Sequence, residues 1–175
     1  LVKWWQGDGL VLSITSPRQQ PHENIEQLVA PAKIERKWLD PEFRVRQAEY
    51  EMAQTYYGGE SFPYLEPMIG PGNLATFIGS EPEYREDTVW YEKVDIPPEN
   101  FPELEFNPGN PHFKEQMAII EKGLASSQGR YLVGMPDLIE NIDILVSLRG
   151  NNNLLLDLLD RPDFVKDNLT QINQA

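Results

Sequence analysis

Cysteine is absent from the chain, which excludes disulfides, thiolate metal sites and cysteine nucleophiles together. Histidine is scarce. His22 and His112 stand alone, with no neighbours at metal-ligand spacing. No apolar run approaches the ~18 residues that a membrane span requires, and Leu1-Val2-Lys3-Trp4-Trp5 has none of the parts of a signal peptide. Positive charge is also short: 15 lysines and arginines oppose 28 acids, for a formal net charge of −13. That is the wrong sign for neutralising nucleic-acid phosphates. These absences predict a cytoplasmic protein that binds neither nucleic acid nor membrane.

What is present suits one globular domain. The 175 residues are 40% apolar, 25% charged and 10% aromatic, enough for a core and unlike a disordered chain. The acidic excess concentrates in residues 81–105, where nine acids face Arg85 and Lys93. Such a run is read as a solubilising surface segment, with a site for a cation or cationic partner as the sharper alternative.

Local signals predict the elements. "GLVLSIT" (9–15) is a short β run closed by Pro17, and the stretch to Leu39 is loop with a short helix near Asn24 to Val29. Asp40-Pro41 opens a helix over 40–57 that Gly58-Gly59 stops, with Val45, Ala48, Met52 and Tyr56 on one stripe. A strand from Tyr64 to Ile69 runs into Gly70-Pro71-Gly72, then a helix from Asn73 stops at Gly79. "TVWYEKV" (88–94) is another strand. Asn110-Pro111 opens a helix whose apolar stripe is Phe113, Met117, Ile120 and Leu124. A strand from Tyr131 to Met135 follows, then helices over 141–148, 154–159 and from Pro162. The last buries Val165, Leu169 and Ile172.

This order is α/β, with parallel strands joined by crossovers. Two core strands neither cover both faces of a parallel sheet nor close a barrel. The apolar stripes after Met135 therefore call for more chain after Ala175 or for a second copy, as in a homodimer.

"WWQGDG", "YLEPMIGPG", "SEPEYREDTVWYE" and "GRYLVGMPDLIENIDILVSLRGNNNLLLDLLDRPDFV" follow one another in an order that resembles the uroporphyrinogen decarboxylase-like superfamily. That superfamily holds the decarboxylase itself and methyltransferases that move methyl groups between corrinoids and thiols. The resemblance covers the first half of a family protein. It implies the first part of a (β/α)₈ TIM barrel: an N-terminal α/β lead-in over 1–60, then two βα units over 61–175 with an acidic excursion at 81–109.

Barrel sites lie beyond the C-terminal ends of the strands. On the resemblance, Glu66 and Asp137 are the candidate catalytic carboxylates, with Met68, Asn73, Met135, Asn141 and Asp143 as candidate substrate contacts. Strand alternation sets Tyr64, Glu66 and Met68 on one face, and Tyr131, Val133, Met135 and Asp137 on one face, aimed at the barrel mouth. The plainer readings are a helix N-cap for Asp137 and a solvated or ion-paired residue for Glu66. Arg149 reads as a charge complementing a helix C-terminus. Trp4, Trp5 and Trp90 pack, or stack on a ring-shaped ligand.

Uroporphyrinogen carries eight carboxylates, and "SITSPRQQPH" offers them only Arg18, so the methyltransferase branch fits better. Its zinc ligands come from the second half of family members, so neither zinc nor a corrinoid partner is assigned to residues of this chain. The other readings are a non-catalytic relative that binds a small molecule and, on paired carboxylates, a glycoside hydrolase.

Overall fold

The computed structural model describes residues 2–91, 96–138 and 141–175. The elements run α1 (Val2–Trp5), β1 (Ser13–Pro17), α2 (Ile34–Leu39), α3 (Pro41–Gln54), β2 (Thr55–Gly59), β3 (Tyr64–Leu65), α4 (Asn73–Phe77), β4 (Pro82–Tyr84), β5 (Val89–Tyr91), α5 (Pro111–Ser127), β6 (Leu132–Val133), α6 (Asn141–Arg149), α7 (Asn151–Asp160) and α8 (Pro162–Ile172). The fold is mixed α/β. Its strands form three two-stranded sheets, and no closed barrel exists among the described residues.

Cap chemistry sets the two long helices. The Asp40 carboxylate accepts the Phe43 N–H at 3.0 Å ahead of Pro41. Asn110 Oδ1 accepts from the His112 and Phe113 amides at 2.8 and 3.2 Å. Its Nδ2 donates to the Thr76 and Phe77 carbonyls, so one side chain starts α5 and closes the end of α4.

The expected parallel crossover is present. β3 pairs in parallel with β6, Tyr64 opposite Leu132 and Leu65 opposite Val133. Leu65, Tyr131 and Val133 pack on Val45, Ala48 and Met52 of α3. A Cβ on Gly123 of α5 would collide with Leu65 Cδ2, so glycine there sets how closely α5 lies on the strand. Tyr64 and Leu132 stay exposed on the other face.

Several expectations are corrected. The helix from Asp40 stops at Gln54, and Thr55–Gly59 is a strand antiparallel to β1, with Thr15 opposite Tyr57. The chain at Thr55-Tyr56-Tyr57 is β-branched and aromatic, a strand signal. Tyr56 is consequently exposed rather than part of the α3 stripe. Residues 24–29 are not helical, whereas Ile34–Leu39 are. The buried positions of α5 are Gln116, Ile119 and Gly123, while Met117 and Leu124 face outward.

Tyr131 and Val133 face the helices, not an open barrel mouth. The strands are two residues long, so alternation does not carry from Val133 to Asp137 or from Leu65 to Glu66. β5 covers the start of "TVWYEKV", and 92–94 lie outside the described residues.

The C-terminal helices build the largest cluster. Ile144, Leu145, Leu148, Leu154, Val165 and Ile172 close on Ala75, Ile78 and Leu104, with Leu169 at the margin. Leu155, Leu156, Leu158 and Leu159 of α7 remain exposed. No helix among the described residues is long and apolar enough to cross a membrane.

Candidate functional site

The segments that leave the C-terminal ends of β3 and β6 meet at Asn73. This side chain is 0% exposed. Its Oδ1 accepts the Ile69 N–H at 3.2 Å, and its Nδ2 donates to the Asp137 carbonyl at 3.4 Å. One amide therefore holds the turn after β3 against the segment after β6, as the satisfaction of a buried polar group requires.

Gly70-Pro71-Gly72 shapes the opening. The Gly72 N–H donates to the Tyr91 hydroxyl oxygen at 2.7 Å. A Cβ at Gly72 would lie 2.7 Å from the Tyr91 ring, so only glycine permits this approach. Burial raises the Tyr91 hydroxyl pKa, and the Gly72 N–H partly opposes the rise. The phenol is neutral at neutral pH.

A cavity of about 560 Å³ opens here. Gly72, Asn73, Trp90, Tyr91, Asp137, Asp143, Ser147 and Asn151 are among its walls. Three of the expected residues, Asn73, Asp137 and Asp143, thus share one cavity. The volume falls in the range of small-molecule sites. Carboxylates, amides, a hydroxyl and an indole among its walls can hold a polar organic molecule by its hydrogen-bonding groups.

The other expected residues lie elsewhere. Glu66 is exposed and lines a second cavity of about 630 Å³ with Arg44, Glu51 and Tyr64. Met68 is half-buried and Met135 is 83% exposed. Asn141 Nδ2 donates to Asn173 Oδ1 at 2.5 Å, tying α6 to the end of α8. Met68, Met135 and Asn141 line neither cavity. Glu66 and Asp137 line separate cavities.

Tyr91, Ser147 and Asn151 were not foreseen as wall residues. Their contribution depends on the excursion and the start of α7 folding back over the turn, a non-local event. The glycine pair around Pro71 was the local signal. Among the described residues no three His, Cys, Asp or Glu side chains converge on a metal position.

The chain matches no protein-family model, no curated protein and no solved structure.

Proposed function

We propose that this chain forms the first βα units of a uroporphyrinogen decarboxylase-like barrel and supplies the substrate-holding wall of a methyl-transfer site. The observation that carries the reading is the Asn73 bridge, which closes the segments after two parallel strands around one cavity. Ligands of parallel α/β folds bind beyond the carboxyl ends of the strands. The exposed face bearing Tyr64 and Leu132 is what an incomplete barrel would leave for further strands.

In this reading Asp137 and Asp143 hold the acceptor by hydrogen bonds, and Trp90 covers it. An acceptor thiol that gains a methyl group loses its proton, and Asp137 takes that proton. A corrinoid on a partner protein would carry the methyl group. Among the described residues the side chains do not fit zinc.

The test is to mix the protein as its cells make it with methylcob(III)alamin and a thiol, following the cobalamin absorbance. Demethylation faster than in the protein-free blank supports methyl transfer. No acceleration overturns it, and ligand binding without turnover favours a non-catalytic relative.

A further inference from the structure

The second cavity contains opposite charges that do not neutralise one another. Arg44 of α3 lines it, half-buried, with Nη2 donating to the Glu66 carbonyl at 3.2 Å and its guanidinium 5.8 Å from the Trp38 ring centroid. Among the described residues no carboxylate comes within ion-pair distance of Arg44. Yet the charges of Glu51 and Glu66 both act on it, and both line the same cavity. Loss of solvation lowers the Arg44 pKa, and those two carboxylates pull against that shift.

Glu51 and Glu66 thus share a cavity with the guanidinium without closing on it as ion pairs. A guanidinium removed from water without a paired anion is costly. The remaining lining charges differ. Lys37 is joined to Glu86 at 2.6 Å, which leaves Asp87 as a further negative group. Trp38 and Met52 add apolar lining.

We propose that this cavity binds a zwitterion, an apolar α-amino acid, whose carboxylate pairs with Arg44 and whose ammonium lies between Glu66 and Glu51. One molecule bearing both charges satisfies both halves of the cavity. A simple anion would face three carboxylates, and a simple cation would leave Arg44 unmatched. The planar guanidinium fork suits a carboxylate, and the side chain of the amino acid lies against Trp38. This inference is independent of the methyl-transfer reading, which uses the other cavity.

Isothermal titration calorimetry of the protein with phenylalanine, 3-phenylpropionate and phenethylamine tests it. Phenylalanine is expected to bind at least about tenfold more tightly than either single-charge analogue. Arg44→Gln should weaken phenylalanine and phenylpropionate by about tenfold and should not weaken phenethylamine, which no longer meets a like charge. Glu66→Gln should weaken phenylalanine and phenethylamine and should not weaken phenylpropionate, which then faces one carboxylate fewer. Asp137→Asn should alter none of the three. Glu66 is exposed, so its variant carries the test even if Arg44→Gln fails to fold. No heat with phenylalanine, equal affinity for all three probes, or indifference to Glu66→Gln overturns the proposal.

Discussion

Arg149 Nε donates to Asp157 Oδ2 at 2.7 Å across the junction of α6 and α7, and the two side chains are 7% and 3% exposed. Arg149 Nη1 also donates to the Ile96 carbonyl at 2.7 Å, and Arg161 approaches Asp157 at 3.5 Å from solvent. Arg149 is thus more than a charge at a helix end. It clamps two helices and the middle of the acidic excursion, at Ile96. Removing one partner strands a buried charge. Arg149→Met is expected to cost about 3–5 kcal/mol, and adding Asp157→Leu should restore much of it. Urea unfolding of both variants measures this.

Asn73→Leu removes the acceptor for the Ile69 amide and the donor to the Asp137 carbonyl. A buried amide left unpaired costs about 1–3 kcal/mol. Chemical denaturation should show that loss, and amide hydrogen exchange should quicken after both β3 and β6. Protection unchanged after β6 would mean that Asn73 does not join the two segments.

Much of this was legible in the sequence where the signal is local. Asp40-Pro41 and Asn110-Pro111 open helices because a cap satisfies amides two or three residues away. The parallel pairing of β3 with β6 followed from strand, crossover helix and strand. The Arg149–Asp157 pair was hidden because its partners lie on different helices and meet only after packing. The buried face of α5 was missed because Gln116 and Gly123 are not apolar. Gln116 is buried through its bond to the Pro67 carbonyl, and Gly123 through the nearness of Leu65. The direction of Glu66 was not legible for another reason: a period of two has no meaning beyond a strand of two residues.

Tyr84, Tyr91 and Tyr131 each have a pKa raised chiefly by burial. For such a group the protonated form is favoured in the fold. Above pH ~10 the unfolded chain releases these protons while the folded chain keeps them, so stability falls as pH rises. The contribution is complete below the ordinary tyrosine pKa and is lost progressively above it. The urea midpoint is expected to drop between pH 9 and about pH 11. Tyr84→Phe should flatten that drop, since Tyr84 carries a large shift and its hydroxyl is 3.3 Å from His112 Nδ1. An equally steep drop in the variant would assign the alkaline loss to other groups.

Gly123→Val should destabilise the protein by about 1–3 kcal/mol, because the added side chain meets Leu65 in a closed packing layer. Leu65→Ala opens space at the contact. Combined with Gly123→Val, it should cost less than the sum of the two single changes, which denaturation of all three variants checks.

Under the proposed methyl transfer, the cavity that Asn73, Asp137 and Asp143 line holds the substrate. The most direct test compares the native protein with its folded Asp137→Asn variant in thiol-dependent demethylation of methylcob(III)alamin. The variant's rate should be at least about 100-fold lower, the usual loss when a proton acceptor is removed. Equal rates in the two proteins would contradict it.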